Sequence, residues 1–487
     1  MKGLDALIDK AMKDHEAPGL AVAVVKNDKV VYVQGFGVRK LGTDEKVTPD
    51  TLFAIASCTK AFTATGVAML IDEEKLAWDD PVRKHLEFFR LTDSLADREA
   101  TIRDLLCHRS GMPRHDWLWM GSDWGQEELI RRYGRAKIST SFRSTWEYAN
   151  VPFTTAGYLI GKLEGSTWAD VMQKRIFAPL GMKTANCSGK ETLARLDVAQ
   201  PHVLGKEFTL FADTWDENEA AAATGAGAIN ASARDMGQWL RFQLGDGTFD
   251  GKRLLKATTL KELHTAQVVV RREGRWKVFY PDKATDHLAY GLGWFVHDHR
   301  GKLAVSHGGT LSGFRSHVLL APKEKMGVVV LVNRGGTFLP EALAKTLMDK
   351  MLGLPDEDWL TFYRNQQKID QFTRASGAKA RSGLRKKDTK PSRELEAYVG
   401  LFDEPAYGKV EVRREGEGLV LAWASCTLKL DHFHYDTFTA TLQSPAKLQR
   451  RMPGSEIDVL FRLNAKGDVE GLQFLEQEFK RVNKPGK

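Results

Sequence analysis

Cysteine is scarce in this 487-residue chain: four occur, Cys58, Cys107, Cys187 and Cys426, and none has the paired spacing of a zinc site or a disulfide framework. A disulfide-stapled fold is thereby excluded, and a reducing, cytoplasmic compartment is the expectation. Long apolar runs are missing too, so no segment is expected to span a bilayer. The opening stretch, Met1 to Ala17, is charged throughout and sets Leu4, Leu7, Ile8, Ala11 and Met12 at helical spacing. It reads as an amphipathic helix and not as a signal peptide. Charge of one sign is not in large excess, with 71 Lys+Arg against 63 Asp+Glu leaving +8. The basic residues are scattered apart from Arg381 to Lys390, which argues against a nucleic-acid groove. Neither nucleic acid nor membrane is expected as a partner, and no internal repeat or low-complexity tract is present.

The length exceeds what one hydrophobic core usually organises, so two domains are expected. Leu20 to Val25 and Lys29 to Gly37 are β-rich runs separated by the turn residues Lys26, Asn27 and Asp28. From Ser57 to Glu74 the composition turns helical, with Phe62, Val67, Leu70 and Ile71 forming an apolar face. Helices and loops dominate to about Leu180. Strand character returns at Gly291 to His297, Leu303 to Ser306, Ser316 to Ala321 and Gly327 to Asn333, and a helix follows at Pro340 to Leu352. This order predicts an α+β fold whose antiparallel sheet combines both ends of the domain. The predicted division is the α+β domain over residues 1–365, a basic linker over 366–392 and a small all-β barrel over 393–487, the last built from seven short β-rich runs.

Ser57-Cys58-Thr59-Lys60 sets a hydroxyl and an amine three residues apart at the start of a helix, where the two side chains share a face. A lysine whose charged form is disfavoured by burial can take the serine proton and make the hydroxyl nucleophilic. Such a tetrapeptide is weak evidence alone. Ser376 to Lys379 and Ser444 to Lys447 match it as well, but the first lies in the expected linker and the second contains Pro445. Two further motifs strengthen the choice of Ser57. Tyr148-Ala149-Asn150 offers a phenol that can relay a proton and an amide that can hold a substrate carbonyl. Ser306-His307-Gly308-Gly309-Thr310 follows a β-rich run, and its glycines leave a strand edge open to a substrate.

These three motifs, in this order and at these separations, resemble those of the serine β-lactamase and penicillin-binding-protein superfamily, most closely its class C β-lactamase, D-aminopeptidase and carboxylesterase branch. Thr101 to Pro113, Phe177 to Met182 and Gly225 to Asp235 are similar to other landmarks of that family. The resemblance implies a β-lactamase/transpeptidase-like fold, an acylated nucleophile at Ser57, its partner amine at Lys60, proton transfer through Tyr148 and a substrate-facing amide at Asn150. It implies further that His307, Gly308 and Gly309 form the edge strand and that the N–H of Thr310 completes an oxyanion hole. His307 stands where many β-lactamases have lysine, so efficient penicillin hydrolysis is not expected. The implied function is a serine hydrolase acting on ester or amide bonds of a small molecule or short peptide, D-residues included, without a cofactor. An acyltransferase using the same site, a weak β-lactamase and a catalytically silent homologue are the alternatives. The segment from Glu394 resembles the lipocalin-like barrel of some members; covering the cleft, restricting substrate size and forming a homo-oligomer are the roles open to it.

His297-Asp298-His299 and His432-Phe433-His434 each put two imidazoles on one strand face, but no third ligand has supporting spacing. Both read as solvated strand ends, and no metal is expected. Gly225-Ala226-Gly227 lacks the rest of a phosphate loop and reads as a turn beside the site. Trp117, Trp119 and Trp124 could line an acyl pocket or simply pack, and a pocket wall is the reading favoured.

Overall fold

Gly19 to Val25 carries no charge and alternates small with branched apolar side chains, which suits a strand covered on both faces. The structure is a computed structural model describing residues 3–204, 208–210, 215, 224–451 and 456–482. In it this run forms β1 (Gly19–Lys26) and returns as β2 (Lys29–Gly37). Asn27 and Asp28 take φ of 49° and 60°, a left-handed pair that asparagine and aspartate tolerate and that matches the twist of a two-residue hairpin.

The chain divides into two compact units, Met1–Arg114 with Lys137–Asp370, and His115–Ala136 with Gln371–Lys487. In the first, six further strands join the hairpin: β3 (Val268–Val269), β4 (Leu288–Tyr290), β5 (Phe295–His299), β6 (Lys302–Leu311), β7 (Phe314–Ala321) and β8 (Met326–Val332). All pairs are antiparallel, in the order β2-β1-β8-β7-β6-β5-β4-β3. The sheet thus joins both ends of the unit, with Leu20 opposite Val332 and Val24 opposite Val328. The strand expected from Gly291 to His297 begins only at Phe295 as β5, because Gly293 at φ 80° turns the chain over residues 291–294, between β4 and β5.

Helices α1 (Leu4–Asp14) and α7 (Leu339–Leu352) cover one face of the sheet, where Ile8 and Leu343 pack with Leu20, Val22, Val24, Val328 and Val330. Each such branched side chain taken fully from water contributes about 1.5–3 kcal/mol. On the other face lies α6 (Ala233–Leu244), whose Gly237 lets the helix approach Ala23 and Val30. The helical part contains α2 (Thr59–Asp72), α3 (Ile102–Cys107) and α5 (Val151–Glu164). Helix α2 is buried beyond its apolar face: every residue from Thr59 to Leu70 is buried. Phe62 stacks on Trp239 with centroids 3.6 Å apart. None of the helices among the described residues is long and apolar enough to cross a membrane.

The second unit holds a closed antiparallel barrel of β9 (Gly400–Glu404), β10 (Gly408–Glu415), β11 (Gly418–Trp423), β12 (Cys426–His434), β13 (Thr437–Ser444), β14 (Glu456–Leu463), β15 (Val469–Phe474) and β16 (Gln477–Val482). Consecutive strands pair and β16 closes on β9, the lipocalin-like up-and-down arrangement. Only seven of these eight strands are legible as β-rich runs. In β16, Phe479 is the one residue fully buried, among Glu478, Lys480 and Arg481, so its apolar signal is weak. Tyr398, Phe402, Trp423, Phe461, Phe474 and Phe479 are buried there and touch one another edge to face or tilted.

The expected linker is a correction. Residues Trp359–Leu384 form one helix, α8, despite Gly377 and Gly383, each of which costs a helix about 1 kcal/mol. Arg381 on its last turn pairs with Glu456 and Asp458 of the barrel, and Arg385 just beyond donates to the carbonyls of His432 and Phe433. The second unit also contains His115–Ala136, including α4 (Gln126–Arg135), an excursion that sequence patterning did not indicate. There Trp124 packs edge-on against Trp423, which decides its reading in favour of packing. The carbonyl of Gly121 accepts from Ser425 N at 3.2 Å and Ser425 Oγ at 3.0 Å. A Cβ on Gly121 would lie 2.3 Å from the Trp423 ring. Gly121→Val is therefore expected to destabilise the protein by about 1–3 kcal/mol, read by tryptophan fluorescence in urea; an unchanged midpoint would contradict this packing.

Candidate active site

From Thr51 to Leu70 every residue is buried except Ser57, which is half-buried. The serine lies in a short 3-10 turn, Ala56–Cys58, that leads into α2. Ala56 holds φ at 48°, a left-handed conformation that costs a residue with a Cβ about 1–2 kcal/mol. One turn on, Lys60 is fully buried. Its Nζ lies 3.3 Å from Ser57 Oγ, and it donates to Asn150 Oδ1 at 2.9 Å and to the carbonyl of Ala226 at 2.9 Å.

Asn150 stands just before α5 with its side-chain oxygen given to Lys60, and Pro152 just inside fits that helix start. Tyr148 precedes it with its ring against Lys60, 4.9 Å from centroid to Nζ, and the Arg114 guanidinium lies 5.4 Å from the same ring. The first two motifs thus meet as expected. Gly225-Ala226-Gly227 is the turn beside the site: Ala226 receives the Lys60 bond, and the carbonyl of Gly225 accepts from Thr63 Oγ1 at 2.7 Å.

The third motif lies on β6. Its pairing with β5 runs from Lys302 to Ser306, while pairing with β7 continues from Val305 to Leu311. Among the described residues, no strand pairs with the β5 side of β6 beyond Ser306, so His307, Gly308, Gly309 and Thr310 form an open edge. Gly309 lies so close to the nucleophile turn that a Cβ would be 2.1 Å from the carbonyl oxygen of Ile55. Thr310 is exposed at the end of that edge.

His307 is buried and neutral. Burial, with the Lys60 charge adding to it, pushes its pKa down to about 3. Its Nδ1 lies 2.8 Å from the carbonyl of Gly308, which only accepts, so Nδ1 carries the proton and Nε2 accepts from the Tyr290 hydroxyl at 3.0 Å. No permanent cation therefore stands at this position.

Two supporting residues escaped sequence reasoning. His108 ends α3 at φ 60°; its carbonyl accepts from Glu147 N at 2.8 Å, its Nδ1 from Ala149 N at 3.3 Å, and its ring packs 4.5 Å from that of Tyr148. It holds the second motif from both sides. Tyr290, which fixes His307, stands on β4 with no motif around it. The only signal for His108 is its place within Thr101 to Pro113, whose Thr101 and Asp104 form the capping box of α3.

The reading of His297 and His299 as solvated strand ends is wrong. Both are buried, His297 Nε2 lying 3.0 Å from Ser306 Oγ and His299 Nε2 lying 2.6 Å from Asp349 Oδ1. Strand β5 has α7 and α8 residues beside it, and Asp349 and Trp359 meet there at 2.7 Å. Among the described residues, no group of three or more His, Cys, Asp or Glu is placed to hold a metal ion.

The family described as Beta-lactamase matches residues 4–350, and a "Domain of unknown function (DUF3471)" matches residues 384–484. Unguisins hydrolase ungD of Aspergillus violaceofuscus (strain CBS 115571) is 27% identical over 474 residues, covering 89% of this chain and 81% of that protein. The octameric penicillin-binding protein homologue from Pyrococcus abyssi has a similar structure, with a TM-score of 0.62 at 22% identity over 98% of this chain and 100% of that one. The D-amino acid amidase from Ochrobactrum anthropi SV3, complexed with L-phenylalanine amide, has a TM-score of 0.58 at 22% identity over 72% of this chain and 99% of that one.

Burial also holds His108, His297 and His317 well below the ordinary histidine value. Below about pH 6.5 the unfolded chain takes up protons that the folded chain refuses, so these rings make stability fall as pH drops below that value. Thermal midpoints are expected to fall between about pH 7 and pH 4, and His307→Gln to flatten that slope; an identical slope in the variant would show that His307 does not contribute.

Proposed function

Because the chain belongs to the beta-lactamase family, we propose that it is a serine hydrolase that works through an acyl-enzyme on ester or amide bonds. The observation that carries this reading is the Lys60 amine 3.3 Å from the hydroxyl of Ser57, the one incompletely buried residue between Thr51 and Leu70. Having lost its proton, the Lys60 amine is able to take that of Ser57.

In this mechanism Ser57 Oγ bonds to the substrate carbonyl carbon as its proton passes to Lys60 Nζ. The carbonyl oxygen becomes an oxyanion, stabilised by the N–H groups of Ser57 and Thr310. Asn150 and the open edge at Gly308 and Gly309 orient the acyl group. Collapse breaks the bond to the leaving alkoxide or amine, which takes the proton back from Lys60 by way of Tyr148. Water then attacks the acyl carbon, gives a proton along the same path and releases Ser57.

Small esters and short peptides or amides, including those of D-residues, are the proposed substrates. Support for hydrolysis comes from a similar protein named as a hydrolase of unguisins, and support for amides from one named as a D-amino acid amidase. The neutral His307 supplies no charge to hold a β-lactam carboxylate, which places penicillins behind them. Self-association is part of the same proposal, since the Pyrococcus abyssi homologue is octameric; light scattering on the full chain tests it, and a monomer mass excludes it.

A fluorophosphonate probe is expected to label the wild type, to fail on Ser57→Ala, and to react at least about 100-fold more slowly with Lys60→Met. Equal labelling of Ser57→Ala would remove the proposed nucleophile. Among p-nitrophenyl esters, D-aminoacyl anilides and nitrocefin, nitrocefin is expected to show the lowest kcat/KM, by about tenfold or more; a preference for nitrocefin would reverse the substrate order.

A further inference from the structure

The turn that presents Ser57 is held in a strained conformation, and the structure shows what holds it. Ala56, immediately before the nucleophile, is the left-handed residue, and Ile55 precedes it. The N–H of Ile55 donates to the carbonyl of Ile229 at 3.0 Å. Its own carbonyl accepts from Cys58 N at 3.2 Å and from the hydroxyl of Ser316 at 2.8 Å. Ser316 lies on β7 directly opposite Gly309 of the open edge and is buried to 1% exposure. Its oxygen is also 3.3 Å from Cys58 Sγ, and that thiol lies 3.3 Å from the carbonyl of His307.

Both residues flanking the Ala56–Ser57 pair, Ile55 and Cys58, therefore reach one hydroxyl. The hydroxyl gives its proton to the Ile55 carbonyl and the thiol gives its single proton to the carbonyl of His307, so Ser316 Oγ and Cys58 Sγ meet as a packed contact at 3.3 Å. Burial pushes the Cys58 thiol up to about 12, so it remains a donor. Gly309 makes the arrangement possible: a Cβ there would lie 2.2 Å from Ser316 Oγ and 2.1 Å from the Ile55 oxygen.

We propose that Ser316 is a positioning residue for acylation, latching the strained turn of Ser57 to the open edge of β6 so that the N–H groups of Ser57 and Thr310 face one oxyanion. This rests on the proposed hydrolase reading. Ser316 touches neither the substrate nor a reacting atom. Its effect is geometric: it sets the distance between two donors that belong to different segments, and such donors stabilise an oxyanion only when both are in place before the charge forms.

The test measures acylation of the full-length protein by a fluorophosphonate and turnover of a p-nitrophenyl ester, alongside the thermal midpoint and the reaction of Cys58 with a thiol reagent. Ser316→Ala is expected to slow acylation and kcat by about 10- to 100-fold while KM stays within about threefold, and to make Cys58 react faster. Ser316→Cys keeps the shape with a weaker donor, so its rate should fall between those of the wild type and Ser316→Ala. It supplies the reading if the alanine variant does not fold. Wild-type rates in Ser316→Ala, or a loss confined to KM, overturn the latch while leaving the hydrolase reading intact. A wild type that is not labelled at Ser57 overturns the hydrolase reading, and the latch with it.

Discussion

One buried amine organises this protein. A fully buried lysine needs oxygen atoms around it, because removing the group from water without replacement partners is costly. Lys60 finds them on segments far apart in the chain: Ser57 one turn earlier, Asn150 at the head of α5 and the carbonyl of Ala226 in the turn after residue 223. Much of the first unit serves that convergence. Helix α2 is buried all round, so Lys60 cannot reach solvent. His108 grips the chain at Glu147 and Ala149, so the second motif keeps its distance.

The electrostatic character of the site follows from the same burial. His108 and His307 are both kept neutral, chiefly by loss of water. A site with a single buried amine among neutral imidazoles and aromatic rings suits proton exchange at one point. It differs from a site that grips an anion with a permanent cation on the edge strand. Replacing lysine by histidine at position 307 is thus a change of chemistry as well as of size.

Much of this was legible in the sequence, for a physical reason. Ser57, Lys60, Tyr148, Asn150 and His307 to Thr310 belong to short motifs whose spacing is set by local geometry, and the structure brings the first four to one nitrogen and its surroundings. The hairpin turn at Asn27 and Asp28 is similarly local. What escaped depends on distant partners. Helix α8 runs through two glycines, and Arg381 on its last turn meets two carboxylates on the barrel that nothing near it in the sequence announces. His297 and His299 look like solvated strand ends until Ser306 and Asp349 are seen beside them. Strand β16 buries one side chain fully, and its remaining order comes from neighbours on either side.

The excursion of residues 115–136 carries a further consequence. The chain passes between the two compact units three times, after Arg114, after Ala136 and after Asp370. The barrel is therefore not a tail that can be trimmed away. Leu118, Leu129, Ile130 and Tyr133 are all buried, and they lie in a stretch inserted between the first and second catalytic motifs. A single cut behind the catalytic residues would strand those apolar groups on the truncated half.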